Sequence, residues 1–562
     1  MRPLVLRLHF YAGVLIAPFL LVAALSGTLY AATPQLEEAL YREQLHVTAS
    51  ATQLPLAEQV QAAVAARGGQ APVAVRPAPS ASDTTRVLFS DPSSGESERT
   101  AVFVDPGTGQ VRGQLSVYGT SGVLPLRTWV DQLHRNLHLG EPGRLYSELA
   151  ASWLWVLALS GVGLWVARQV GTRCSAAAAT TGTTGTAETA GTAGTAGDGG
   201  PAGRRGGALR QVLAPRGGGA GAGRGGRGRT RALHAVLGTW IAVGLLTLSA
   251  TGLTWSTHAG ARVTDLRSAL SWQTPVVDTS LPGPSSSAPA GAAASGAASG
   301  HEGHTGHEGH ADHEGHGAPS GDPGVTKAQS TGETSPDTTT TTTTTTTSGA
   351  AVAVTPAAFE QVLATAREAG LSASRIEVKA PAEAGAAWKV DEVDRSLHTQ
   401  VDSAAIALTT TTTGQVLDAQ VLDVVRFEEY PFTAKLARWG IDAHMGSFGW
   451  GNQLVLLVLG LGLSAVVVWG YRMWWQRRPD PARRLAVGPP AHRGAWRHLP
   501  KPFLAAVVVL TAAVGWALPL LGVSLLVFLV LDAVLGGVYR TRSRRPGDLS
   551  SATSTSTGGS TA

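Results

Sequence analysis

Five histidines stand at the ends of long apolar runs: His9, His134, His138, His234 and His444. An ionisable side chain is costly in hydrocarbon, so a histidine recurring at one depth of several spans marks a candidate site. Two recur by repetition. Leu8-His9 is followed by Gly13, Ser26-Gly27 and Tyr30, and Leu233-His234 by Gly238, Thr251-Gly252 and Trp255, every match displaced by 225 residues. His138-Leu-Gly-Glu-Pro-Gly and His444-Met-Gly-Ser-Phe-Gly share a second pattern, His-x-Gly-x-x-Gly. Paired imidazoles from different helices, with small residues nearby to admit a planar macrocycle, are what bis-histidine haem ligation in a bundle requires. Two axial nitrogens leave the iron six-coordinate and suited to electron transfer.

His9 and His234 make a candidate inner pair. For an outer pair His444 is the common member, and its partner is His134 or His138, four residues apart and on one helix face. The shared spacing points to His138. Met445 stands too close to His444 in the chain to serve the same iron and reads as packing. Arg127, Arg135 and Arg144 flank the outer set, suited to neutralising haem propionates, to attracting an anionic chelate, or simply to snorkelling at the interface. Trp153, Trp155, Trp165, Trp439, Trp450 and Trp469 read mainly as interfacial belts. His301, His304, His307, His310, His313 and His316 recur every three residues among acids. Such a tract chelates Zn, Cu, Ni or Fe loosely, but it is too flexible to preorganise a catalytic site.

Long uncharged runs must position these side chains. Leu8 to Ala31 is 24 residues without a charge, enough to cross about 30 Å of hydrocarbon at about 1.5 Å per residue. Its basic start is like that of a secretory signal, but the same pattern recurs mid-chain, so the span is expected to be retained. Leu145 to Val166, Ala232 to Trp255 and Gln453 to Trp474 are further spans, and the 37 residues from Phe503 to Tyr539 read as a hairpin turning near Pro519. Ten Arg and two acids lie between Ala167 and Arg231, eight basic residues and one Asp between Arg472 and Lys501, and four Arg follow Tyr539. The positive-inside rule places all three regions and both termini in the cytoplasm, which requires six crossings. Asp532, inside the hairpin, reads as a polar contact of the bundle or an interfacial residue.

The outward regions carry helix and strand signals. Leu54 to Val64 and Pro356 to Ala366 are helix-like. Arg86 to Ser90, Thr100 to Val104, Ala387 to Val390 and the segment ending at Thr413-Gly-Gln-Val-Leu-Asp are strand-like, with Asp105-Pro-Gly-Thr-Gly supplying turn chemistry. The expected fold is an α-helical membrane protein, a six-helix bundle with an internal repeat and two small α+β extracytoplasmic modules. Its parts are a first span at 1–32, a module at 33–144, spans at 145–167 and 232–256 around a basic loop at 168–231, a His- and Thr-rich insert at 257–350, a second module at 351–446, a span at 452–474, a basic loop at 475–502, the hairpin at 503–539 and a tail at 540–562. The first basic loop, the insert and the tail lack apolar surface to offset ordering entropy and are expected to be disordered.

Composition excludes several classes. Cys174 is the one cysteine, so no intramolecular disulfide, cysteine-ligated iron–sulfur cluster or Cys-rich zinc site is possible. The net charge of +5 is spread without a compact nucleic-acid surface. Gly217-Gly-Gly-Ala-Gly-Ala-Gly has no preceding strand, so the chain shows no nicotinamide or flavin fingerprint.

The segments Val102-Phe-Val-Asp-Pro-Gly-Thr-Gly-Gln-Val and Asp131-Gln-Leu-His-Arg-Asn-Leu-His-Leu-Gly-Glu-Pro-Gly-Arg, the echo at Thr413 and the paired Leu-His-x-x-x-Gly spans together resemble the PepSY-associated transmembrane proteins. That family includes iron-regulated inner-membrane proteins and ferric-siderophore reductases. The resemblance covers all spans and both modules. It departs from the family in the long inserts and in the Thr-rich interruption of the second module. The family's Leu-His-Arg matches Leu133-His134-Arg135, which favours His134 over His138. The expectation is a cell-membrane reductase with two haem b groups, passing electrons from a separate cytoplasmic donor to a ferric chelate or siderophore outside, with loosely bound divalent metal at the His-rich tract. The competing expectation is a membrane-anchored scaffold whose modules bind peptide, protease or metal without redox activity. A permease would need broken helices with midplane polar groups, and none is evident.

Overall fold

The computed structural model describes residues 2–91, 97–119, 122–181, 225–281, 354–383, 385–394, 401–411, 415–477 and 500–543. In chain order the elements are α1 (Arg2–Leu40), α2 (Arg42–Leu45), α3 (Leu56–Ala66), β1 (Ala74–Arg76), β2 (Thr85–Ser90), β3 (Glu98–Val104), β4 (Val111–Tyr118), α4 (Pro125–Asn136), α5 (Glu141–Thr181), α6 (Gly225–Leu253), α7 (Thr257–Ala269), α8 (Pro356–Glu368), β5 (Ile376–Lys379), β6 (Trp388–Glu392), β7 (Ser403–Thr410), β8 (Val416–Val425), α9 (Phe432–His444), α10 (Trp450–Gln476), α11 (Lys501–Ala517) and α12 (Pro519–Ser543). They fall into two compact units. One comprises Met1–Leu29, Gln132–Leu270 and Leu454–Ala562; the other comprises Tyr30–Asp131 and Ser271–Gln453.

The first unit is helical. Pro3–Leu40, Glu141–Gly171, Gly226–Leu253 and Trp450–Gln476 are long and apolar enough to cross a membrane, and Lys501–Ala517 and Pro519–Leu535 are shorter apolar helices. The break between these two falls at Pro519, whose ring leaves no N–H to continue a helical ladder. A Cβ on Gly522 would meet the Gly515 carbonyl oxygen at 2.7 Å, so the two helices close on each other backbone to backbone. Gly460 of α10 plays the same part against α1, where a Cβ would run into the Thr28 hydroxyl. Hydrogen bonds knit the bundle: Tyr471 Oη donates to the Val14 carbonyl at 2.9 Å, Ser249 Oγ to that of Ala151 at 2.7 Å, and Trp153 Nε1 to Ser524 Oγ at 2.9 Å. Trp153 is therefore a core residue and not part of an interfacial belt. Asp532 forms an ion pair with buried Arg7, tying α12 to α1 two residues before His9.

Two boundaries differ from the sequence expectation. Helix α5 continues to Thr181 and α6 begins at Gly225, so both ends of the basic loop are helical. The stretch after Trp255, expected to be disordered from 257, opens with helix α7. Its free N-terminal amides are satisfied by Glu148 of α5, which accepts from His258 N and Ala259 N at 3.0 Å each. A carboxylate at a helix N-terminus is favourable in charge as well as in hydrogen bonding, and this partner lies over 100 positions away in the chain, where local composition cannot reveal it.

The second unit corrects the expectation of two modules. Their strands form a single antiparallel eight-stranded sheet in the order β4-β3-β2-β1-β5-β6-β7-β8, joined where β1 pairs β5. These two strands span three and four residues, too short to be recognised as strands, yet each covers the other's open edge. Helices α3 and α8 pack on one face over Val60, Val87, Val102, Phe359 and Trp388, with the Phe359 and Trp388 rings edge to face at 4.8 Å. Glu360 of α8 accepts from Ala57 N at the start of α3, bonding the two halves again.

The opposite face carries charge along one cross-strand row. Phe103, Arg86 and Arg76 are register partners on β3, β2 and β1; Arg76 is ion-paired with Glu377 on β5; and Glu377, Asp391 and Ser403 are partners on β5, β6 and β7. Burial alone would raise the pKa of Asp391, but Lys379 at 2.8 Å and Lys389 at 3.2 Å outweigh it and hold the carboxyl below its usual range. Burial likewise works against the Lys379 ammonium, yet Asp391 and Glu377 prevail and raise it. The Asp391 contribution is present above the ordinary carboxylate pKa of about 4 and is lost as pH falls through the depressed value. The Lys379 contribution is present below about 10 and is lost as pH rises through the raised value. Thermal unfolding followed by the β-sheet signal should therefore show a plateau between those limits, and Asp391→Asn should flatten the acid limb.

Candidate functional site

His9 on α1 and His234 on α6 come together inside the helical unit, with ring centroids 6.3 Å apart and planes at 82°. A metal–imidazole bond is about 2 Å, and a ring nitrogen lies about 1.1 Å from its ring centre. Two imidazoles on opposite sides of one metal thus have centroids about 6 Å apart.

The tautomers fit the same use. His234 Nδ1 lies 2.9 Å from the Val466 carbonyl of α10, an acceptor only, so Nδ1 carries the proton. His9 Nδ1 lies 2.9 Å from Ser160 Oγ, and that hydroxyl donates its hydrogen to the Leu157 carbonyl at 3.1 Å, which leaves it to accept from His9. Both rings then hold a lone pair on Nε2, the arrangement in which outer partners fix a ligating histidine. Glycines face the same rings. A Cβ on Gly161 would lie 3.2 Å from His9 Cε1, and one on Gly470 3.7 Å from His234 Cε1.

His134 repeats the seat. Its Nδ1 lies 3.0 Å from Ser26 Oγ, whose hydrogen goes to the Val22 carbonyl at 2.8 Å, and a Cβ on Gly27 would lie 3.0 Å from the ring. A Ser-Gly step of one helix thus cradles a histidine of another at two places: Ser160-Gly161 under His9, and Ser26-Gly27 under His134. The sequence displays Ser26-Gly27 as part of its repeat but not its task, and Ser160-Gly161 is the same dipeptide inside the second span.

The other predicted residues are placed differently. His138 is exposed, with a positive φ of 56° just past α4. His444 is the last residue of α9 and belongs to the sheet-bearing unit, whereas His134 belongs to the helical one. Their pairing stays an expectation of the sequence. Arg127 is engaged by Glu37 at 3.0 Å, and Arg144 Nε donates to Thr257 Oγ1 at 3.1 Å. Among the described residues no group of three or more His, Cys, Asp and Glu is placed to hold a metal ion. His301, His304, His307, His310, His313 and His316 lie outside the described residues.

Helices of membrane-spanning length and apolarity, histidines seated in their bundle and a separate helix-backed sheet define a multi-helix membrane protein with a polar domain. The chain matches the PepSY-associated TM region over residues 6–477 and belongs to that family. No curated protein matches it.

Proposed function

We propose that this protein is a haem-carrying cell-membrane reductase that takes electrons from a cytoplasmic donor and delivers them to a ferric chelate outside. The observation that carries this reading is the His9–His234 pair, two imidazoles with bonded Nδ1 atoms and lone pairs on Nε2 whose ring centroids lie 6.3 Å apart. His9 and His234 would hold the inner group, and His134 would help hold an outer one. Bound haem would supply one-electron transfer. Ser160 and the Val466 carbonyl hold the ring protons away from the ligating nitrogens, Gly161 and Gly470 leave room beside the rings, and the apolar helices exclude water. Each electron delivered converts Fe(III) to the less highly charged Fe(II), which a hard oxygen chelator holds less tightly.

The charge bias of the loops supports six crossings with both termini inside, with α11 and α12 as the last pair. The absence of a nucleotide fingerprint from the sequence supports a separate donor, and the six-histidine tract suits loose capture of a divalent metal outside.

Ser160→Ala frees His9 Nδ1 and should weaken haem retention about 10–100-fold, read by titrating haem into the purified protein, while Ser160→Thr keeps much of the affinity. The reductase reading is tested by reducing the purified protein, removing the reductant without air and adding ferric citrate. Reoxidation of the haem bands with stoichiometric Fe(II), trapped by a ferrous chelator, is expected. A reduced spectrum that persists in the presence of ferric citrate contradicts it.

A further inference from the structure

We propose that the face of the sheet opposite α3 and α8 holds a binding site for a small soluble carboxylate, gripped by Arg86 with Arg76 beside it. Arg86 on β2 and Arg76 on β1 are direct cross-strand partners, an arrangement of like charges that costs stability when nothing lies between them. Arg76 is held by Glu377. Arg86 is not held in this way. Among the described residues its charged end has the ring of Phe103, 5.5 Å from Cζ, as its contact, with no carboxylate within ion-pair distance.

Arg86 is half-buried, and none of its nitrogens is sealed off from solvent without a partner. Crowding by surrounding atoms, then Arg76 and Arg375, push its pKa down to about 10 against weaker support from Glu37 and Asp83. A guanidinium that is partly desolvated, faced by like charge and still reachable lacks one thing, an anion presenting two oxygens to its planar fork. The floor is built as well. Gly122, at a φ of 58°, brings its backbone so close that a Cβ would lie 2.6 Å from Arg76 Nη1.

Glu37, Asp83 and Glu377 lie around the two guanidinium groups and offset part of their charge, so the anion is selected by the fit of a planar carboxylate to the Arg86 fork. The site does not depend on haem.

The test is calorimetric titration of citrate into the full chain in nanodiscs of zwitterionic lipid, repeated with anionic lipid added. Saturable binding that weakens with salt, is unchanged by anionic lipid, and falls at least tenfold in Arg86→Gln is expected. Arg86→Lys keeps the charge but loses the fork and should fall between, and Arg112→Gln on β4 should match the wild type. An unchanged melting temperature shows that a variant is folded. No saturable citrate binding, equal binding by Arg86→Gln, or binding abolished by anionic lipid, which would make the occupant a headgroup phosphate, each overturns the proposal.

Discussion

His234→Ala should strip the purified protein of its proposed inner haem, and His9→Ala should do the same, with a second haem expected to stay in place in both. The two residues would act as a pair: each imidazole would hold the group through its Nε2, and no group of three or more His, Cys, Asp and Glu lies there among the described residues to substitute. Loss of a direct ligand should exceed the 10–100-fold penalty typical of losing an outer hydrogen bond. The remaining haem should show an undisturbed low-spin spectrum, because His134 sits on its own Ser26-Gly27 seat. Added imidazole should restore part of the inner signal in His234→Ala, since truncation leaves an imidazole-sized space beside Gly470. A scaffold whose helices serve only as anchors would lose nothing in either variant.

The second large effect falls on the sheet. Glu377→Ala should destabilise that unit by about 3–5 kcal/mol, the cost of breaking a buried pair from one side, or on the order of 10 °C in Tm for a unit of this size. Glu377 is fully buried, bonds Arg76 across the β1–β5 pairing that joins the two halves of the sheet, and also faces Lys379 at 3.6 Å. Its removal leaves Arg76 opposite Arg86 with the balancing charge gone. Replacing both partners, Arg76→Leu with Glu377→Leu, should recover most of the loss, because apolar side chains of similar volume need no compensation. Thermal unfolding of the three proteins decides this, and haem content should not change among them.

The spans, the α3 and α8 helices and the longer strands were legible because each is declared locally, by an apolar run, a cap or alternation. Thr355 caps α8 with Pro356 behind it, and β2 carries the buried apolar run Val87-Leu88-Phe89. The join of the modules was not legible. Ala74–Arg76 and Ile376–Lys379 are short strands that meet each other across about 300 positions, a pairing no local pattern announces. Helix α7 was hidden for a similar reason, its N-terminus being satisfied by Glu148 and not by its own composition alone.

At the candidate site the repeat exposed His9 and His234 because ionisable residues inside apolar runs are conspicuous. Ser160 and Val466 were invisible, since a lone Ser in a span and a backbone carbonyl carry no pattern. The resemblance of Leu133-His134-Arg135 to the family separated His134 from His138. The structure sets the two apart in kind, the one bonded to Ser26 and the other in an exposed left-handed turn.

The most direct test is an absorption spectrum of the full chain purified after expression with ample haem, oxidised and dithionite-reduced, with haem counted per chain. A Soret band, sharp low-spin bands on reduction and two haems per chain are predicted. A protein that folds, keeps its sheet and shows no Soret band would contradict the account.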